Sequence, residues 1–149
     1  MSMSSDKYEM LARKVELFRG LTGDDIEVIF SKGMTIRVPK GETLFYKGTV
    51  GNQMYVIFGG QIDIVDGKRV LASLVTGDMF GEMALVNSEP RSATAISVED
   101  CTLFVLTETT FQRLLNKKVA VQTLLNIIRT LSHRLRETNR RLAKLQQMD

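Results

Sequence analysis

The strongest constraint on this chain is a change of hydrophobic period at Gly33. From there Met34, Ile36 and Val38 alternate with Thr35 and Arg37, and Pro39-Lys40-Gly41 reads as a turn. Further short strands are predicted at Thr43 to Tyr46, Gln53 to Phe58, Gln61 to Val65, Val70 to Val75, Ala93 to Val98 and Thr102 to Leu106. Glycines punctuate them, and Gly59-Gly60 and Asp66-Gly67 read as hairpin turns. Many short strands with regular turns imply an antiparallel roll or sandwich.

Helices flank this region, which makes the chain α+β. A helical segment around Lys7 to Phe18 precedes a second one starting near Thr22, with Thr22 or Gly23 as its cap. The 149 residues suit a single domain: N-terminal helices over 1–32, the strands over 33–107, a short helix over 108–118 and a long one over 119–147. From Val119 to Gln147 there is no Gly or Pro, and Leu124, Ile128, Leu131, Leu135, Thr138, Leu142 and Leu145 advance in alternating steps of four and three. That spacing is an a/d seam with one polar position, Thr138.

Composition bounds the function. No run approaches the roughly 18 apolar residues of a membrane span, and the N-terminus lacks an apolar signal core, so a cytoplasmic location is expected. A lone cysteine, Cys101, at the start of an apolar strand is read as a packing thiol. Residues 112–149 carry nine Lys and Arg against two acids, whereas residues 1–111 hold eleven basic and fifteen acidic groups. Interleaved with leucines, these cations read as the solvated face of a helix, and no nucleic-acid reading motif accompanies them. One histidine and one cysteine cannot build the metal sites of a cupin enzyme, a haem sensor or an iron-sulfur sensor, so no catalytic residue, metal or cofactor is expected.

The chemistry concentrates between Phe80 and Ala93, in Phe-Gly-Glu-Met-Ala-Leu-Val-Asn-Ser-Glu-Pro-Arg-Ser-Ala. Gly81 lets backbone approach a ligand, and Glu82 to Leu85 are helix formers for about one turn, whose first N–H groups lack intrahelical partners. Arg91, after the stiff Pro90, offers a planar guanidinium that can hold two oxygens of a phosphate. Glu82 suits a sugar hydroxyl. The duller alternative is a Glu82–Arg91 ion pair across a surface loop.

This stretch closely resembles the phosphate-binding cassette of the cyclic nucleotide-binding domain family, in which Phe-Gly-Glu, a small residue and Leu are followed by a loop and then Arg, a small residue and Ala. Phe80, Gly81, Glu82, Ala84, Leu85, Arg91, Ser92 and Ala93 supply every element, and the resemblance runs from about Leu17 to Leu142. It implies a jelly-roll-like antiparallel β-roll of about eight strands. By resemblance, Glu82 takes the ribose 2′-hydroxyl and Arg91 the cyclic phosphate. Backbone N–H groups near Met83, Ala84, Ser92 and Ala93 assist, and Ile64, Leu71, Ala72 and Leu74 form an apolar wall by the purine and ribose. For each wall residue ordinary core packing is the competing reading.

In the bacterial regulators of this family the long helix forms a homodimer interface and a threonine on it contacts the adenine amino group. Thr138 stands at that place, with Asn139 available from a partner subunit; bonding of the Thr138 hydroxyl to its own i−4 carbonyl is the alternative. The resemblance therefore implies a cyclic nucleotide receptor without enzymatic activity. Ser92 leans towards cAMP over cGMP as its ligand. Those regulators carry a helix-turn-helix after the long helix, and the chain ends at Asp149, so this chain alone is not expected to bind DNA. It reads either as a stand-alone receptor or interaction module, or as a fragment of a longer regulator whose downstream partner the sequence does not name.

Overall fold

The computed structural model describes Val15 and residues 18–86, 89–114 and 117–147. The helical segment expected around Lys7 falls largely outside these residues; Val15 and Phe18 are buried in the core. Helix α1 (Gly23–Lys32) is opened by Thr22, whose hydroxyl accepts from the Asp25 N–H at 3.2 Å while the Asp25 carboxylate accepts from the Thr22 N–H at 3.2 Å. This reciprocal capping settles the start of the helix on Thr22 as the cap.

Eight strands follow: β1 (Met34–Val38), β2 (Thr43–Phe45), β3 (Gln53–Gly59), β4 (Ile62–Asp66), β5 (Arg69–Leu74), β6 (Met79–Phe80), β7 (Thr94–Ser97) and β8 (Cys101–Thr107). They form two four-stranded antiparallel sheets, ordered β1-β8-β3-β6 and β2-β7-β4-β5. Each sheet thus pairs strands from opposite ends of the region in a jelly roll, and β6, too short to register as alternation, completes it.

Two turn expectations need correction. Gly59-Gly60 is not a hairpin turn: β3 and β4 belong to different sheets, and the glycines carry the chain across. Gly60 has φ +95°, and a Cβ there would lie 2.6 Å from the Asp100 carbonyl and the Cys101 Sγ, so only glycine fits the crossing. The β4–β5 hairpin does exist, but its two-residue loop is Gly67-Lys68, since Asp66 pairs with Arg69. Gly67 supplies the positive φ of +63° that places glycine first in a tight hairpin loop.

Two cores explain why β3 and β8 read as nearly continuous apolar runs. Met54, Val56, Phe104 and Leu106 face the helices, joining Phe18, Ile26, Ile29, Phe111 and Ile127. Tyr55, Ile57, Leu103 and Val105 point the other way, between the sheets, with Val38, Ile62, Phe80, Ala95 and Cys101. Both faces of these central strands are therefore dry, and alternation fails where neither face meets water.

After the one-turn helix α2 (Met83–Val86) and the short α3 (Glu108–Leu114), α4 (Lys117–Gln147) begins two residues before the expected Val119. It docks through buried Thr123, Asn126 and Ile127, with the Asn126 amide donating to the Arg19 carbonyl at 2.7 Å. The heptad seam is a different face: Leu124, Ile128, Leu135, Leu142 and Leu145 are exposed, and Leu131 alone of its leucines packs partly on the core. Among the described residues no helix is long and apolar enough to cross a membrane, and no cluster of three His, Cys, Asp or Glu could hold a metal.

Candidate functional site

Strand β6 ends at Phe80, and Gly81, with φ +75°, swings the chain into α2. A Cβ on Gly81 would meet the Arg91 guanidinium at 2.8 Å and the Gln53 carbonyl at 3.2 Å, so the glycine is required by a close approach. This turn brings Glu82 and Arg91 to one cavity of about 640 Å³ between the β2-β7-β4-β5 sheet, the α2 turn and α4.

Arg91 is buried, and among the described residues its charge meets no carboxylate within bonding distance. Its Nη2 donates to the Gln53 carbonyl at 2.7 Å and its Nη1 to the Gly81 carbonyl at 3.1 Å, and the guanidinium lies 4.1 Å from the centroid of the Phe45 ring. The buried Nε–H has no partner among the described residues. Desolvation pushes the pKa of this guanidinium down from its ordinary value, opposed by the fields of Tyr55 and Glu82. An arginine nevertheless stays cationic, so the cavity presents a buried positive charge with a donor to spare.

Glu82 is buried and paired, though not with Arg91. Its Oε1 accepts from Arg134 Nη1, and Arg134 Nη2 donates to the Met79 carbonyl at 2.6 Å. The expected alternative of a Glu82–Arg91 ion pair is thus replaced by a bond from the cassette to the long helix. Among the described residues its second carboxylate oxygen takes no hydrogen bond and is left for another donor.

Of the sequence-predicted site residues, Gly81, Glu82, Met83, Ala84, Arg91, Ser92, Ala93, Ile64, Leu71, Ala72, Leu74 and Thr138 line the cavity. Leu71 and Ala72 are exposed, which makes that part of the apolar wall a surface and not core packing. Asn139 does not line it and is exposed on α4. The Thr138 hydroxyl donates to the Arg134 carbonyl at 2.9 Å, which is the i−4 bond anticipated as its alternative, while the side chain still borders the cavity. Sequence reasoning missed Phe45, His133, Arg134, Glu137 and Arg141 as lining residues. A signal was available for the last four: they recur with Thr138 at positions 133, 134, 137, 138 and 141, a single helical face.

The model of the cyclic nucleotide-binding domain family matches residues 35–118. The chain belongs to this family. It is 31% identical over 128 residues to the cyclic AMP receptor protein of Thermus thermophilus, covering 83% of this chain and 58% of that protein. A cAMP-dependent protein kinase regulatory subunit of Colletotrichum orbiculare is 34% identical over 110 residues, which is 72% of this chain and 28% of the subunit. Among solved structures, the Thermus thermophilus catabolite activator protein superposes with a TM-score of 0.77 at 30% identity, over 87% of this chain and 62% of that one. The chain spans less than two thirds of the length of these relatives.

Proposed function

We propose that this chain is a cytoplasmic receptor for a cyclic mononucleotide, with cAMP as its ligand, and that it acts as a regulatory domain without catalysis. The observation that carries this reading is Arg91: a buried cation at the cavity wall whose side chain, among the described residues, bonds only neutral carbonyls and holds an unused Nε–H. A cyclic phosphate supplies the missing acceptor and the counter-charge. The free oxygen of Glu82 suits the ribose 2′-hydroxyl, and Ile64, Leu71, Ala72 and Leu74 give the purine and sugar an apolar wall.

Thr138 supports adenine as the base. Its proton is committed to the Arg134 carbonyl, so the hydroxyl faces a ligand as an acceptor. Adenine offers an amino donor at the ring position where guanine offers a carbonyl, so an acceptor facing that position favours adenine. The signal then passes along α4, which is bound to the cassette through Arg134 and Glu82, towards a homodimer contact at the exposed leucine seam. Asn139, away from the cavity of its own chain, fits a role in the partner's site. A second reading makes the same unit the sensor of a longer regulator, which suits its match to 58% of the Thermus protein.

Calorimetric titration of the chain with cAMP, cGMP and a cyclic dinucleotide tests the proposal. cAMP is expected to bind most tightly, and Arg91→Ala to weaken it roughly a hundredfold with the fold intact, in line with losing a buried charge-assisted contact. Unchanged cAMP affinity in Arg91→Ala refutes the phosphate role.

A further inference from the structure

We propose that Phe45 is the positioning residue for Arg91, an aromatic platform that holds the guanidinium in its anion-accepting place; this rests on the phosphate role given to Arg91 above. The segment from Phe45 to Gln53, some forty residues away in sequence, grips that arginine from several sides. Its backbone is clasped by two bonds, Arg91 N–H to the Thr49 carbonyl at 2.8 Å and Gly48 N–H to the Arg91 carbonyl at 2.8 Å. Gly51 packs against the guanidinium so closely that a Cβ would collide with it, and the Gln53 carbonyl takes Nη2.

The remaining support is the face of Phe45, 4.1 Å below the guanidinium carbon. That ring is itself held in place, with centroids 6.1 Å from Tyr55 and 6.0 Å from Phe80. A ring face stabilises a cation without neutralising it, whereas a carboxylate there would compete with the ligand's phosphate. Carbonyls and ring together keep the charge available and in one rotamer, so less order is lost when the anion binds.

Three proteins decide the matter: the natural chain, Phe45→Leu, which removes the ring at similar bulk, and Phe45→Tyr, which keeps it. In the ligand-free protein the Arg91 Nε–H resonance is expected upfield from ring current in the natural chain and in Phe45→Tyr, and at its ordinary position in Phe45→Leu. Calorimetry is expected to show Phe45→Leu binding cAMP roughly tenfold more weakly and Phe45→Tyr close to the natural chain, as a desolvated cation–π contact implies. An Arg91 resonance identical in all three, or undiminished cAMP affinity in a folded Phe45→Leu, overturns the platform. Absence of cAMP binding by the natural chain sinks the nucleotide reading instead, and the resonance still rules on the platform by itself.

Discussion

Arg134 on α4 and Glu82 at the cassette turn are ion-paired, with the carboxylate buried and the arginine partly exposed. The acid expected to read a sugar is thereby bound to the element expected to carry the signal. Removing Arg134 leaves a buried carboxylate without its partner. Arg134→Ala is expected to lower stability by about 1–3 kcal/mol, below the figure for fully buried pairs because one partner meets water. Urea unfolding of Arg134→Ala, Glu82→Gln and the double variant measures this, and effects that simply add would show that the pair is not coupled.

Gly60 and Gly41 both have positive φ, +95° and +89°, but they differ in surroundings. Nothing lies within 4 Å of a Cβ built on Gly41, whereas at Gly60 it meets the Asp100 carbonyl and Cys101. Gly41→Ala should cost about 1 kcal/mol and Gly60→Ala at least roughly 3 kcal/mol, since backbone strain is common to both and the collision is not. Thermal unfolding of the two variants side by side checks the difference.

Burial, assisted by the charges of Glu99 and Asp100, pushes the Cys101 thiol up. The unfolded chain therefore releases this proton first as pH rises. Stability from the neutral thiol is complete below the ordinary thiol range and declines as pH climbs through it towards the raised native value. Natural protein and Cys101→Ala compared by denaturant melts between pH 7 and 10 should converge in their pH dependence at the lower end and part at the upper. Thiol reagents should label native Cys101 only as fast as the protein opens.

The exposed seam on α4 predicts self-association. Light scattering at micromolar concentration is expected to give the mass of two chains for the natural protein and of one for Leu135→Glu combined with Leu142→Glu, with the roll's strand signal retained. A monomeric natural protein with and without cAMP would remove the dimer relay from the scheme.

Much of the fold was legible because its cues are local. Glycine turns, alternation in β1 and the Gly-free stretch of α4 each announce themselves within a few residues. The partition into two sheets was not, since a Gly-Gly pair marks a reversal or a crossing alike and only the pairing partners distinguish them. The cassette was readable as an ordered motif, yet the grip on Arg91 from Phe45, Gly51 and Gln53, and that on Glu82 from Arg134, join residues tens of positions apart. The leucine seam showed the reverse difficulty. Its periodicity is visible, but the buried residues by which α4 docks on its own core are Thr123, Asn126 and Ile127, joined partly by Leu131, and the polar members conceal that face in sequence.

The nested strand order has a kinetic corollary. Met34 of the first strand pairs with Val105 of the last, and Thr43 with Ile96, so both sheets close only when the two ends of the region meet. Loop-closure entropy must be met before those pairings return any stability, which sets refolding in the range of milliseconds to seconds. The β4–β5 hairpin, with its two-residue loop, is the natural place for order to begin, and the long-range closure of β1 on β8 the step that finishes it.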